Sequence, residues 1–430
     1  ITGLRCGERA RGHRGLGRRR LPGRIGPGDL RRRRGGSARG VVRGSDRPAP
    51  DPIEEQGAFE ALVDELVDEP RIGVDTEFHR ERTYYPQVAL LQISWSDGLA
   101  LVDPLAVDLR AFGSVLESDV LLVMHAAGQD LEVFDRACGT APRNLFDTQL
   151  AAGFVGLSTP SLTTLCEREL DIRLPKGDRL SDWLARPLTG SQLEYAAADV
   201  LHLLVLHDRL TDDLTSRGRL AWAQDECQAM LDRSRGPREP SIAWERIKEV
   251  RRLRGAAFDR ARAIAAWRER EAAARDVPVR SVFSDLAVVA VAQDHPVDEE
   301  ALRRIRGVDG RHLRNGAASS VLQAMAEAAD LPPVPRDPAR SRQGRGDHRA
   351  AVTLVSAWIS QAARDLEIDP TLLGTRSDIE ALVRGEEGTR LATGWRGDVV
   401  GEALTGLLAG HSALAFDGEG GLLLEDRNGS

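Results

Sequence analysis

The spacing of apolar and polar residues divides this chain into regions of different character. Between residues 51 and 235, short apolar runs alternate with segments of helical spacing, whereas residues 244–328 and 348–410 show helical spacing only. Side chains on one face repeat about every 2 residues along a strand and about every 3.6 along a helix. The pattern therefore predicts one α/β domain followed by two small all-helical domains, with disorder in the Arg- and Gly-rich residues 1–50.

The apolar runs of the α/β region predict a sheet. A first helix is expected around residues 59–67, before the strand that contains Asp75 and Glu77. The predicted strands cover residues 72–78, 88–95, 99–102, 120–124 and 144–146. The second and third of these strands flank a turn at residues 96–98 and are typical of a hairpin. Because a meander comes first and strands then alternate with helices, we expect a mixed sheet flanked by helices.

A long helix is predicted over residues 188–210. Two capping-box pairs fit its first turn, Thr189 with Gln192 and Ser191 with Glu194. Tyr195 and Asp199 are four residues apart, so their side chains lie one above the other on a single face. This face carries a polar pair where a purely structural helix would present aliphatic residues.

Four acidic residues of the α/β region fit a metal site. Asp75 and Glu77 alternate along a strand end and project from the same face, where two like charges are costly unless a cation, a basic group or protonation relieves them. Asp130 is predicted in the first turn of a helix that follows the strand at 120–124, and Asp199 lies on the late helix. Their hard oxygen ligands suit Mg²⁺ or Mn²⁺. Two such ions about 4 Å apart promote phosphodiester hydrolysis.

Composition narrows the class of protein. The chain has 41% hydrophobic and 29% charged residues, which is usual for globular proteins, and its apolar runs are far shorter than a bilayer span. Its four cysteines are scattered without a C-x-x-C pair, which argues against a zinc knuckle or a disulfide framework. We therefore expect a cytoplasmic protein with no membrane segment and no small-molecule cofactor besides metal.

Charge is distributed unevenly along the chain. Residues 1–50 contain 15 arginines and three acidic residues, and they either bind nucleic acid without sequence preference or belong to a fragment or a misassigned start. Residues 51–235 contain 16 basic and 33 acidic side chains, whereas residues 244–328 contain 16 basic and 13 acidic ones. The acidic region would repel a polyanion. To act on nucleic acid, it needs metal ions or the basic helical region beside it.

Three motifs in this order are far more specific than any one of them. They are V-D-T-E-F at 74–78, H-A-A-G-Q-D-L-E at 125–132 and Y-A-A-A-D-V at 195–200. Residues 52–215 thereby resemble the ribonuclease D family of 3′–5′ exonucleases, which implies a ribonuclease H-like sheet. Two further stretches strengthen the resemblance, L-F-D-T-Q-L-A-A at 145–152 and S-D-W-L-A-R-P-L at 181–188. Residues 244–328 resemble the helical HRDC domain of such nucleases, and residues 348–410 resemble a more divergent copy.

The resemblance implies a role for each of five residues. Asp75, Glu77 and Asp199 would hold the ion that activates water. Asp75 would also bridge to a second ion, which Asp130 reaches through water molecules. Tyr195 would orient or deprotonate the attacking water, and we favour orientation because the pKa of a free phenol is about 10. The product would be a 5′-mononucleotide released from a 3′ end.

Other polar residues admit both a functional and a structural interpretation. His125 either touches substrate or is a structural histidine, and Asp147 either caps the following helix or binds metal. Lys176 and Arg186 either contact phosphates of the substrate or are solvated cations. Two more residues are expected to support the shape of the site, Gln92 and Trp183.

These segments define the predicted domains and function. We expect a disordered extension at 1–50, a 3′–5′ exonuclease domain at 51–235, HRDC-like domains at 236–329 and 348–412, a Pro- and Arg-rich linker at 330–347 and a C-terminal tail at 413–430. The predicted activity is metal-dependent 3′–5′ hydrolysis of RNA with a free 3′ end, in the processing of tRNA precursors and other structured RNAs. The alternatives are a 3′–5′ DNA exonuclease and a catalytically silent nucleic-acid-binding scaffold.

Overall fold

The structure is a computed structural model that describes residues 49–175, 181–234, 239–334 and 348–427. These residues fall into two compact units, a larger one formed by the first three ranges and a smaller one formed by the last. The predicted extension at 1–50 lies almost entirely outside the described residues, as does most of the predicted linker at 330–347. Across the described ranges, no helix is both long enough and apolar enough to cross a membrane.

A five-stranded mixed sheet forms the centre of the larger unit. Its strands are β1 (Arg71–His79), β2 (Gln87–Ser94), β3 (Leu99–Val102), β4 (Leu121–Met124) and β5 (Asn144–Asp147). Their order across the sheet is β3-β2-β1-β4-β5. Strands β1, β2 and β3 form an antiparallel meander, whereas β1, β4 and β5 run parallel. The predicted mixed sheet is therefore confirmed.

Helices cover both faces of this sheet. They are α1 (Gln56–Leu66), α2 (Gly113–Glu117), α3 (Asp130–Ala137), α4 (Thr148–Gly153), α5 (Leu162–Leu170), α6 (Gly190–Leu201), α7 (Leu203–Ser216) and α8 (Leu220–Ser234). On one face, Ile72 and Val74 form a buried core with Phe59 of α1 and Phe134 of α3. The opposite face includes Leu90, which packs with residues of α6. Because side chains alternate along a strand, β2 contributes to both cores, through Leu91 and Ile93 on one face and Leu90 on the other.

The long helix predicted at residues 188–210 is interrupted. Helices α6 and α7 meet at His202, whose φ is −106° and ψ is 0°. The hydroxyl group of Ser94 on β2 donates to the carbonyl oxygen of Val200 at 2.8 Å. In a continuous helix this oxygen would accept from the backbone four residues later. The prediction of one helix is corrected to two, because the sheet binds a backbone group in the last turn of α6.

Residues 240–334 are helical and have a hydrophobic core of their own, as predicted. The helices are α9 (Gly255–Arg275), α10 (Val279–Val282), α11 (Asp285–Asp294), α12 (Glu299–Arg303) and α13 (Ala317–Ala326). Helix α9 is the central element of this segment, since its Ile264 and Ala265 are fully buried among the others. Tyr84, from the connection between β1 and β2, also packs against this core.

The smaller unit begins with helices and ends with a hairpin. It contains α14 (Arg349–Leu366), α15 (Pro370–Leu373), α16 (Arg376–Val383), α17 (Gly394–Arg396), α18 (Glu402–Leu408), β6 (Ser412–Phe416) and β7 (Leu422–Asp426). The two strands pair antiparallel, with Leu414 opposite Leu424. Regular structure therefore continues into residues 413–430, which the sequence analysis treated as a tail. Two strands of five residues each are too short to stand out by their spacing alone.

Candidate active site

Three carboxylates come together where β1 lies against α6. One oxygen atom from each of Asp75, Glu77 and Asp199 lies within 4.8 Å of the others, and all three residues are half-buried. Asp75 and Glu77 alternate along β1 and share one face of the sheet. They lie inside the strand and not at its end, because β1 continues to His79 in its pairing with β2. The parallel pairing with β4 stops at Gly73, so the acids lie beyond that neighbour.

The close approach of α6 to β1 depends on Gly73. A Cβ atom at this position would lie 2.4 Å from Oγ of Ser94 and 3.3 Å from the carbonyl oxygen of Val200. Ser94 in turn donates a hydrogen bond to that same carbonyl oxygen. The absence of a side chain at Gly73 and the hydroxyl group of Ser94 therefore place the last turn of α6 directly on β1. Asp199, the residue before Val200, is brought beside Asp75 by this contact.

Tyr195 lies one turn before Asp199 in α6. The helix begins with a capping box, Thr189 with Gln192, which is the first of the two pairs expected from the sequence. The Tyr195 hydroxyl group donates a hydrogen bond to Asp199, and its ring centroid lies 6.0 Å from that of Trp183. Burial raises the pKa of Tyr195 above its usual value, and nearby carboxylate charges raise it further. The phenol is therefore protonated at neutral pH and serves as a hydrogen-bond donor.

Asp130 lies apart from the other three acids. It is in the first turn of α3, is only 7% exposed, and accepts a hydrogen bond from the Thr76 hydroxyl group at 2.5 Å. It does not belong to the group of carboxylates whose oxygens approach within 4.8 Å. Its charge nevertheless raises the pKa of Asp75. The site thus consists of three acids in close proximity and a fourth within electrostatic range.

Asp147 holds the chain segment that leads to Asp130. Its carboxylate caps α4 by accepting from the backbone N–H groups of Gln149 and Leu150, at 2.8 and 3.1 Å. It also accepts from the backbone N–H groups of Ala126 and Ala127, at 3.2 and 2.8 Å. Ala126 has a φ of 61°, a left-handed conformation that is unfavourable for a residue with a side chain. Of the two interpretations given above for Asp147, the geometry matches capping.

Burial and mutual repulsion raise the pKa values of the acids. Burial raises the pKa of Asp75 well above the usual value. The charges of Asp130, Asp199 and Glu77 raise it further. Burial also raises the pKa of Asp130 to about 6. A divalent cation would remove this repulsion, and the donor set of hard carboxylate oxygens fits Mg²⁺ or Mn²⁺.

Of the three predicted substrate contacts, His125 has structural partners on both ring nitrogens. Its Nε2 lies 3.1 Å from the carbonyl oxygen of Pro160, and its Nδ1 lies 2.9 Å from Oγ1 of Thr148. A carbonyl oxygen can only accept, so Nε2 donates to Pro160, whereas the Thr148 hydroxyl group next to Nδ1 donates its own proton to the carbonyl oxygen of Met124 at 3.0 Å. Burial lowers the pKa of His125, which favours the neutral form of the ring. The geometry therefore matches the structural interpretation.

The guanidinium group of Arg186 is also fully engaged. It binds Asp103 through Nε and Nη2, at 2.5 and 2.7 Å. Its remaining N–H groups donate to the backbone oxygens of Ala89, Trp183 and Ala185. All five donors are thus used within the protein, and the predicted phosphate contact is corrected to a structural role. Lys176, the third predicted contact, lies outside the described residues.

Three residues that position the site were not among those predicted from the sequence. Thr76, Ser94 and Asp103 are all buried, and each binds a group that positions the site. The sequence does contain a feature that could have identified them, because each of these polar residues lies within or directly after an apolar strand. Gly73 lies inside a strand as well, where a glycine often marks the close approach of another backbone.

Comparisons with known proteins agree with this arrangement. Residues 50–215 match the family model for a 3′–5′ exonuclease domain, and residues 257–328 match the model for an HRDC domain. Nucleases of this exonuclease family depend on metal ions. The solved structure of Escherichia coli RNase D, described as an exoribonuclease involved in structured RNA processing, superposes with a TM-score of 0.74. It is 31% identical and covers 84% of this chain and 98% of its own.

Curated relatives extend the similarity over most of the chain. Ribonuclease D of Granulibacter bethesdensis is 34% identical over 385 residues, which are 86% of this chain and 96% of that protein. Ribonuclease D of Gluconacetobacter diazotrophicus is 35% identical over 390 residues, which are 88% of this chain and 98% of that protein. The acidic site, the fold around it and these similarities lead to one conclusion: the chain belongs to the ribonuclease D family and is a 3′–5′ exoribonuclease.

Proposed function

We propose that this exoribonuclease works with two divalent cations, Mg²⁺ or Mn²⁺, held by Asp75, Glu77, Asp130 and Asp199. The supporting observation is the approach of three carboxylate oxygens to within 4.8 Å of one another. When bound, such ions neutralise phosphate charge, acidify water and stabilise the leaving oxygen. Asp75 contributes to both ion positions, because it lies close to Glu77 and Asp199 and its pKa also responds to Asp130.

Tyr195 orients the attacking water in this proposal. A base would have to lose its proton near neutral pH, whereas burial and the neighbouring acids raise the pKa of Tyr195. The protonated hydroxyl group already donates to Asp199, so it lies next to the proposed ion-binding oxygens. Tyr195 therefore acts by placing a hydrogen bond, whereas the ions that the acids would hold would supply the acidification of the water.

Replacing Tyr195 with Phe is expected to lower kcat by about 10- to 100-fold. The substitution removes one hydrogen bond to a charged group, and such bonds contribute about 1.5–3 kcal/mol. Binding of Mn²⁺ should also weaken, because the lost hydrogen bond is made to Asp199, a proposed ligand, so kcat is compared at saturating Mn²⁺. Single-turnover rates on a labelled RNA and Mn²⁺ titration of the RNA-free enzyme measure the two effects. A wild-type rate in Tyr195→Phe would contradict the assigned role.

The proposed substrates are structured RNAs with a free 3′ end, such as tRNA precursors, and the product is a 5′-mononucleotide. Two observations support this choice: the description of E. coli RNase D as acting in structured RNA processing, and the net positive charge of residues 244–328. The catalytic domain is assigned to residues 51–235, and the two HRDC-like domains to 236–329 and 348–412. RNA recognition through shape and a free end needs no contact with base edges.

One experiment tests this proposal. A tRNA with a labelled 3′ extension is incubated with wild type, Asp75→Asn and Asp199→Asn, each with Mg²⁺ and with chelator. We expect wild type with Mg²⁺ to release 5′-mononucleotides, and each variant to be slower by about 100-fold or more, because a neutral amide is a poor ligand. Asp97→Asn, at an exposed turn, is the matched control and should retain activity. Full activity in either site variant would contradict the metal assignment.

The same assay separates the proposed substrate from its alternative. A DNA of the same sequence is expected to be degraded more slowly than the RNA, and an extended tRNA is expected to lose only its extension. Faster degradation of the DNA would favour the alternative function, that of a 3′–5′ DNA exonuclease. Turnover of any of these substrates by wild type is incompatible with a silent binding scaffold.

A further inference from the structure

Gln92 is a buried polar residue whose side chain has no partner in the part of the chain that the structure describes. It lies in β2 with 0% of its surface exposed, and neither Nε2 nor Oε1 of its amide makes a hydrogen bond there. An amide group offers two donors and one acceptor. Each buried group left unsatisfied costs about 1–3 kcal/mol. An aliphatic side chain would fill this position at lower cost, so the fold alone does not explain a glutamine.

The strand register places this amide next to the proposed metal site. Gln92 is directly opposite Asp75 in the antiparallel pairing of β1 with β2, and Ser94 is opposite Gly73. Directly opposed residues project from the same face of a sheet, with Cβ atoms about 4.5–5.5 Å apart. This is the face that α6 covers, since Ser94 bonds to Val200 there. The amide of Gln92 is therefore enclosed between the sheet and α6, on the side of Asp75.

The residues at neighbouring positions of the sheet show that the Gln92 amide lies next to Asp75 and not next to another polar strand residue paired with it. Glu77 is the other acid of β1 on this face, and it is opposite Leu90, an apolar residue that packs with Trp183 and Ala196. On β3, the residue opposite Gln92 is Leu101, which belongs to the same apolar cluster. Among the strand residues paired with Gln92, Asp75 is thus the one whose side chain offers hydrogen-bond acceptors. The length of a glutamine side chain suffices to reach across one cross-strand pair.

The geometry points to Gln92 as a positioning residue for Asp75: its amide N–H donates to the Asp75 carboxylate, directly or through one water molecule, when that carboxylate holds metal. This inference rests on the proposed function, because it assumes that Asp75 is a ligand. A carboxylate has four lone-pair directions, and a donor on one oxygen leaves the other aimed at the ion. Partners of this kind typically change metal affinity by about 10- to 100-fold when removed.

The test compares Gln92→Met with Gln87→Met in the full-length chain. Both substitutions exchange an amide for an unbranched apolar side chain on β2, but Gln87 is exposed at the start of the strand. Binding of Mn²⁺ to each RNA-free protein is followed by electron paramagnetic resonance, and melting temperatures are measured in chelator. We expect Gln92→Met to bind Mn²⁺ about 10- to 100-fold more weakly. Its metal-free melting temperature should equal or exceed that of wild type, since an unsatisfied amide is removed.

Kinetics give a second readout that a merely structural role would not reproduce. In Gln92→Met, kcat should be lower than in wild type at subsaturating Mn²⁺ and should recover as the Mn²⁺ concentration is raised. KM for RNA should be unchanged, and Gln87→Met should match wild type in both constants. Gln92→Leu, with the same prediction, replaces Gln92→Met if the latter fails to fold by circular dichroism. Wild-type Mn²⁺ affinity in a folded Gln92 variant overturns the inference. If Asp75→Asn also binds Mn²⁺ as wild type does, the proposed metal site itself has failed.

Discussion

Asp75 and Asp130 are acidic side chains in surroundings that favour their neutral form. Burial is the largest cause of the raised pKa of each residue, and for Asp75 the charges of three other acids add to it. Each unit of pKa shift corresponds to about 1.4 kcal/mol between protonation states. Ionisation of the site therefore destabilises the metal-free protein, and a bound cation offsets that cost. The same residues that make the site reactive make it locally unstable without metal.

We predict that the metal-free protein becomes less stable as pH rises through about 6. The Asp130 carboxyl group titrates near 3.8 in the unfolded chain and at about 6 in the folded protein. Its contribution to stability is fully present below 3.8 and is lost as pH passes through about 6, because the unfolded state releases its proton first. Asp75, with its pKa also raised, acts in the same direction. Saturating Mg²⁺ should weaken this trend, since the ion binds the ionised form.

Melting temperatures in chelator, measured from about pH 5 to about pH 7.5, test this prediction. Asp130→Asn is the matched variant, because its amide cannot ionise and has nearly the same shape. The melting temperature of Asp130→Asn should change less with pH than that of wild type over the same range. Parallel profiles for the two proteins would show that Asp130 does not titrate there.

At the scale of elements, the site depends on the junction of β1, β2 and α6. Gly73 allows the helix to approach, and Ser94 binds its last turn at Val200. Neither residue is acidic or belongs to the proposed ligands, but together they set where Asp199 stands relative to Asp75. Misplacement of a catalytic group by about 1 Å can reduce rates by about 100-fold. Activity should therefore be sensitive to side-chain volume at this junction.

Gly73→Ala is predicted to lower exonuclease activity by about 10- to 100-fold and stability by about 1–3 kcal/mol. The new Cβ would lie 2.4 Å from Oγ of Ser94, so α6 or β2 must shift. Gly190→Ala, in the first turn of the same helix, is the matched control, because nothing lies within 4 Å of its Cβ position. That control should be neutral or stabilising by up to about 1 kcal/mol, since alanine favours helix. Equal effects of the two substitutions on activity would refute the role of the junction.

At the scale of the larger unit, the catalytic sheet and the helical segment 240–334 are held together through the connection between β1 and β2. Asp276, just after α9, accepts from the backbone N–H groups of Tyr84 and Tyr85 at 3.1 and 3.0 Å. The Tyr84 hydroxyl group donates to the buried Glu269 at 2.8 Å. This connection follows Glu77 within a few residues along the chain, so the helical segment supports the strand that carries the proposed ligands.

Tyr84→Phe is predicted to reduce the free energy of unfolding of the larger unit by about 1–3 kcal/mol. The ring would remain packed, but the Glu269 carboxylate, which is 3% exposed, would lose one of its hydrogen bonds. Tyr85→Phe is the control, because within the described residues no hydrogen bond of the Tyr85 hydroxyl group is found. Urea unfolding followed by circular dichroism measures the difference. Identical midpoints for the two variants would contradict the proposed contact.

The sequence by itself determined the local features of this protein. Alternating and helical spacing predicted the five strands and the helices after residue 240, because these periodicities depend on neighbours along the chain. The same alternation put Asp75 and Glu77 on one face of a strand. Spacing also placed Tyr195 one helical turn before Asp199. The motif order identified the family before any contact between these residues was known.

Only the tertiary structure decided which partners these residues have. The contacts that interrupt the predicted long helix, engage Arg186 and bind Tyr84 join residues 106, 83 and 185 positions apart. No periodicity encodes such pairs, since they depend on how the elements pack and on which buried polar groups need partners. For the same reason, the sequence grouped four acids, and the structure brought three into close proximity and left Asp130 within electrostatic range.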